Sequence, residues 1–227
     1  MTLTSTPSPT GPIHAAALEA LPIFPLPGVV LLPGATMPLH VFEPRYRAML
    51  ADCLATHRVM ALALVQPGEG DERGESEGLP RIARVAGAGS IVEHTALPDG
   101  RSNIVIRGVA RVTLRELPFS PPYRRAHARV LESVATPVPP ADYAALRGAA
   151  LGFASAARRL DRNVEFSLPP DLDAGSAADL CAHHLILEAA ARQRTLEELD
   201  VAARVRFVVA TLADQTARLK RDRSKLD

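Results

Sequence analysis

The run from Leu21 to Leu54, LPIFPLPGVVLLPGATMPLHVFEPRYRAMLADCL, constrains the fold of this chain more than any other stretch. Pro22, Pro25, Pro27, Pro33 and Pro38 punctuate two apolar segments, Leu21 to Leu26 and Thr36 to Phe42. Proline removes a backbone donor and holds the preceding residue extended, so both segments read as edge or irregular strands. Pro33-Gly34 marks a turn between them. At Glu43-Pro44 the period changes, because proline suits the first position of a helix, where its missing N–H would have had no partner. Tyr46, Met49, Leu50, Cys53 and Leu54 then recur at helical spacing along one face. The stretch therefore reads as strand, loop, strand and amphipathic helix.

Further along, Val59 to Val65 is a short continuous apolar run, the signature of a buried strand. Pro67 to Gly78 is acidic and glycine-rich and reads as an exposed loop. Ile82 to Thr95 is strand material interrupted by Gly87 and Gly89, which suggests a bulge or bend of the kind a closing barrel requires. Pro98-Asp99-Gly100 predicts a hairpin turn. Asn103 to Arg107 and Val109 to Leu117 alternate on either side of Gly108, and Ala126 to Leu131 supplies a last strand. This gives about six or seven strands in an antiparallel or mixed sheet. Pro137 to Pro140 separates them from a helical region.

In that region Tyr143, Leu146, Ala150, Phe153, Ala157 and Leu160 stripe a long helix. Ser176 with Asp179 has capping-box spacing and predicts a second helix presenting Leu180, His184 and Leu187. Thr195 with Glu198 predicts the start of a short third, and Asp200 caps a final helix carrying Val201, Val205, Val208, Leu212 and Leu219. The expected architecture is α+β: a lead-in over 1–20, disordered through Thr10 and helical from Ile13, a β subdomain over 21–136 and a helical bundle over 137–227.

Charge narrows the function. With 26 basic and 25 acidic residues the net charge is +1, which supplies no bulk attraction to nucleic acid or an anionic membrane. There is no tryptophan, and aromatic residues make up 4% of the chain, too few for a base-stacking platform. No apolar segment reaches bilayer length, and no secretion signal opens the chain, so a cytoplasmic location is expected. Cys53 and Cys181 lie on apolar helix faces and read as buried free thiols rather than a disulfide.

LPIFPL, VLLPG, MPLHVFEPRY and the following ML..CL, in order and at tight spacing, resemble the opening of the Lon protease N-terminal (substrate-binding) domain family. GSIVEHTALPDGRSNIVIRGVARVTL resembles the family's second block, although Ala86 to Gly89 stands where a Gly-Thr start is more usual. Ala178-Asp179-Leu180 and Leu196 to Arg204 extend the resemblance, which covers Leu21 to Leu219. It implies a PUA-like β pseudobarrel followed by a helical subdomain, acting as a non-catalytic polypeptide-binding module. The expected partners are unfolded or client polypeptides, and a separate Lon-type protease to which the module would serve as adaptor in protein quality control. Because the sequence stops at Asp227, it reads as a stand-alone domain.

The residues themselves point to contact rather than chemistry. A nucleotide-binding loop needs Gly-Lys, and no such pair occurs. The only lysines, Lys220 and Lys225, lie in the terminal tail, where none can activate a serine. Gly74-Glu75-Ser76-Glu77-Gly78 matches GxSxG, but an acidic loop leads in and Leu79-Pro80 leads out, where a nucleophile elbow needs strand and helix. His183 and His184 point about 100° apart on a helix and cannot easily share an ion. No cofactor or metal is expected. Arg101, Arg107, Arg111, Arg115, Arg124, Arg125 and Arg129 read as a solvated strand face paired with acids such as Glu116; RNA binding through them is the alternative reading. Phe42, Glu43, Pro44, Arg45 and Tyr46 read as a structural junction, with Glu43 favoured at the helix start. The candidate polypeptide contact is Val29, Val30, Leu31 and Leu32, an apolar run between prolines.

Overall fold

A computed structural model describes residues 13–66 and 79–223. After a short helix α1 (Ala15–Glu19) come strands β1 (Leu21–Leu26) and β2 (Thr36–Val41), then helix α2 (Pro44–Ala55). Strands β3 (Val59–Leu64), β4 (Val85–Ala96), β5 (Ser102–Glu116) and β6 (Arg125–Leu131) follow. The chain ends in helices α3 (Pro140–Arg158), α4 (Ala174–Leu185), α5 (Ala189–Glu197) and α6 (Val201–Arg223). The proline-marked strands and the helix opening at Pro44 thus form where the sequence puts them, and Gly34 makes its turn at φ +81°.

The six strands lie in the order β2-β5-β4-β3-β1-β6, and β6 also pairs with β5, which closes five of them into a pseudobarrel. The sheet is mixed, since β1 and β3 run parallel while the other pairs are antiparallel. Closure depends on β5. At 15 residues it is long enough to pair with β2 through Ser102–Arg107 and with β6 through Arg111–Glu116. Gly108 was expected to break this strand, but β5 passes through it. The register steps from Ala88↔Ala110 to Gly89↔Gly108, so Val109 is the extra residue of a bulge. A bulge turns a strand without ending its ladder.

Helix starts depart from the sequence reading at two places. Helix α4 is capped by Asp173, whose carboxylate accepts from Ser176 N at 2.9 Å, three residues ahead of the expected cap. Its buried face is Ala177, Ala178, Cys181, Ala182 and Leu185, whereas Leu187 lies past the helix end at 63% exposure. Thr195 and Glu198 end α5 rather than start it, because the Thr195 hydroxyl bonds back to Ala191 O and Glu198 is the C-cap. Asp200 does cap α6, accepting from Ala203 N at 2.7 Å. Leu160, the last residue of the predicted α3 stripe, lies beyond that helix at 61% exposure.

Candidate functional site

The four residues proposed from sequence as a contact surface are mostly inside the protein. Val30 is 2% exposed and Leu31 and Leu32 are 0%, which leaves only Val29 half-buried. The cause lies across the sheet. Carbonyl oxygens of Leu31 and Leu32 sit where a Cβ on Gly87 or Gly108 would be, at 1.9 and 2.2 Å from those ideal positions. Gly34 N donates to Gly108 O and Gly108 N donates to Ala35 O, both at 2.9 Å, which clamps the segment to that glycine floor. Val30 and Leu32 join the apolar cluster formed by the helices, and Leu31 joins the one under α2. The run is apolar because it wedges between two cores, which hold Val30, Leu31 and Leu32 away from the surface.

The Phe42–Tyr46 junction is organised around the buried ring of Tyr46. Tyr46 is 7% exposed, 4.5 Å from the ring of Phe24, and the Arg45 guanidinium lies 4.5 Å over its face. Pro44 opens α2; Glu43 precedes it without a side-chain cap and instead accepts from Arg45 Nε at 2.9 Å. Burial pushes the Tyr46 phenol above its ordinary pKa. Phe42 is the exception, standing 57% exposed at the end of β2.

That exposed ring borders the edge of the sheet. β2 ends the strand order, so among the described residues its outer side has no partner strand. Pro38↔Val105↔Glu93 and His40↔Asn103↔Thr95 form successive rungs across β2, β5 and β4, and residues two apart share a face. These six, with Leu39 and Ile104, line a shallow hollow of about 400 Å³. His40 stacks with Phe42 at 6.0 Å and holds Asn103 Oδ1 at 2.7 Å from its Nδ1, fixing the rim. Sequence reasoning saw these residues only as a strand, because what makes them a surface is their position at the edge. The signal available was Pro38, a residue that edge strands tolerate.

The arginines divide by location. Arg125, 41% exposed, lies 3.7 Å from Asp52 on the solvated side, in keeping with the solvated-face reading. Arg124 pairs with Glu116 at 2.6–2.7 Å, but its side chain is only 10% exposed and it also donates to Pro80 O, so it does not belong to a solvated face. Arg111 departs from that reading as well. At 4% exposure it ion-pairs with Asp179 of α4 and donates to Leu196 O, while Arg204 Nε of α6 lies 3.3 Å from the same carboxylate. Burial pushes the Asp179 pKa up while both guanidiniums pull it down. The cluster joins β5, α4 and α6 and, being enclosed, is structural.

His184 is exposed, and among the described residues no group of three or more His, Cys, Asp or Glu could hold a metal ion. Burial pulls the His183 imidazole down to about 4, with His184 and Arg192 adding to the effect. From the ordinary value of 6.5, the unfolded chain takes up this proton first as pH falls. Stability contributed by neutral His183 should therefore be lost between about pH 6.5 and 4. Urea midpoints from pH 7.5 to 4.5 should fall more steeply for the native chain than for His183→Gln; parallel profiles would refute this. Cys53 and Cys181 are free and buried, their thiols pushed up to about 12 by burial. The Gly74–Gly78 motif lies outside the described residues, and among those described no helix is long and apolar enough to cross a membrane.

This combination of closed pseudobarrel and helical bundle is the fold of Lon N-terminal domains. A Lon N-terminal domain protein from Xanthomonas campestris superposes with a TM-score of 0.59 at 24% identity, covering 84% of this chain and 97% of that one. The N-terminal domain of Mycobacterium avium complex Lon protease gives 0.58 at 18%, covering 86% and 99%. The model of the ATP-dependent protease La (LON) substrate-binding domain matches residues 20–214, and the chain belongs to that family. The Lon protease of Roseiflexus castenholzii is 33% identical over 206 residues, which are 86% of this chain and 24% of that protein. The chain thus spans about a quarter of that relative's length, and the matching part is the substrate-binding portion.

Proposed function

We propose that this chain recognises polypeptides, and that it does so at the open edge of β2 with Phe42 as the main apolar contact. Membership of a substrate-binding domain family supports recognition as the task. The observation that carries the location is Phe42, 57% exposed beside a strand edge that is unpaired among the described residues. An extended client segment would add backbone pairing along β2 and rest side chains in the hollow. Pro38 cannot donate to such a strand, so the pairing is interrupted and the grip is broad and weak rather than sequence-specific. On this reading the module does no chemistry of its own and works in the cytoplasm as an adaptor, presenting clients to a separate Lon-type protease.

Phe42→Ser should weaken binding of a reduced, alkylated and permanently unfolded polypeptide about tenfold, as loss of an aromatic anchor does. The melting temperature should stay within about 2 °C, because the ring is mostly outside the core. Fluorescence anisotropy reads the first and calorimetry the second. Undiminished binding would remove the β2 edge from consideration; affinity that collapses with added salt would favour a nucleic-acid partner.

A further inference from the structure

The rung that crosses the sheet at Pro38 changes character along its length. From the open edge inward it runs Pro38, Val105, Glu93, two apolar residues and then a carboxylate. Glu93 is exposed and makes no ion pair among the described residues. Of the described residues lining the hollow it alone carries a carboxylate, and none carries a guanidinium or an ammonium. The neighbouring rung toward Phe42, His40↔Asn103↔Thr95, is polar.

A bulge puts Glu93 there. Ile91 pairs with Ile106, and the next pair in the ladder is Glu93↔Val105, so Val92 is the extra residue. An unbroken ladder would set Val92 opposite Val105 and leave the rung wholly apolar. Bulges re-aim side chains, and this one brings a charge to the inner end of an apolar track. Lysine and arginine have the complementary shape, an aliphatic stem that packs on apolar surface and a cationic head. A segment added along the outer side of β2 would lie three strand spacings from β4, about 14 Å, a span for the longest side chains.

We propose that the β2 edge selects segments carrying a lysine or arginine, laid along the Pro38–Val105–Glu93 rung, four residues from the apolar side chain that meets Phe42. The inference rests on the reading of β2 as the recognition edge. The spacing follows from the register. His40 stacks with Phe42 and so shares its side, and Pro38 lies on that same face, four residues from Phe42. One rung further, Thr36↔Arg107↔Ser90 brings an exposed guanidinium to this face. A cation six residues from the apolar contact would meet that like charge.

Fluorescence anisotropy on the full chain tests this, using labelled twelve-residue peptides of serine, threonine and alanine that carry one phenylalanine. Lysine, glutamine or glutamate is placed four residues from it, in both chain orders. In the order that matches the direction of pairing, lysine should bind about fivefold tighter than glutamate, with glutamine between. Salt at 0.5 M should erase most of that difference. Moving the charge to six residues should cost lysine its advantage. Glu93→Gln should remove the preference and Glu93→Arg should invert it, both without change in melting temperature, since the side chain is on the surface. Equal affinities at four residues overturn the proposal, as does an advantage of lysine that persists at six residues or survives Glu93→Arg. The reading of the edge still stands in those cases if binding depends on Phe42. Peptides that fail to bind at all also overturn the proposal, and the reading falls with it only if the unfolded polypeptide fails to bind too.

Discussion

Asp179→Ala should cost the fold about 3–5 kcal/mol, the largest loss expected from one substitution in this protein. The carboxylate is 3% exposed and is shared by Arg111 and Arg204, which are themselves 4% and 2% exposed. Removing it strands two guanidiniums in the interior, and an unpaired buried charge is penalised far more heavily than a paired one is rewarded. Arg111 retains Leu196 O, and Arg204 retains Glu198 O at 2.8 Å, so each keeps a hydrogen bond but loses its counter-charge. Asp179→Asn should cost nearly as much, because it preserves shape and removes charge. Urea denaturation measures both, and a loss below about 1 kcal/mol in each would show that the cluster is not a stabilising junction. Replacing Arg111 by methionine and Asp179 by leucine together should recover part of the loss, since apolar groups of similar volume need no counter-charge.

Gly87→Ala should destabilise by about 3 kcal/mol, at the upper end of ordinary overpacking, and lower the melting temperature by about 10 °C. The added methyl would stand 1.9 Å from Leu31 O and 2.9 Å from Leu31 C. A flexible side chain could swing away from such a contact; a backbone carbonyl held between two cores cannot. Gly108→Ala should behave alike, with Leu32 O at 2.2 Å. The contrast with Gly148 and Gly152 of α3, where an added Cβ would meet nothing within 4 Å, is the check. All four changes add one methyl, and only the two facing the wedge should harm stability. Equal effects at all four positions would mean that the wedge yields.

The sequence made local features legible and hid those that depend on what crosses over what. Prolines at the strand edges, the helix opening at Pro44 and the cap at Asp200 are each decided within a few residues, and each stands where expected. Gly87 and Gly89 were read as a bend, and the register does shift at Gly89. That Gly87 leaves room for the Leu31 carbonyl and Gly108 for that of Leu32 could not be read, because the segments meet only in three dimensions. For the same reason an apolar run between prolines looked like a contact surface. Arg111 looked like its neighbours on an alternating strand; its partner, Asp179, is 68 residues away. Asp179 in turn was taken as part of a capping box, a local role that Asp173 already fills.

The wedge has a consequence for how the molecule holds its order. Val30 and Leu32 point into the helical core and Leu31 into the barrel core, from three consecutive residues. Ordering one core positions the strip that the other needs, and loosening either withdraws a side chain from both. The strands and the helices should therefore unfold in one transition, although they differ in architecture. A load applied by a client at the rim of the barrel would be shared with helices that never touch it.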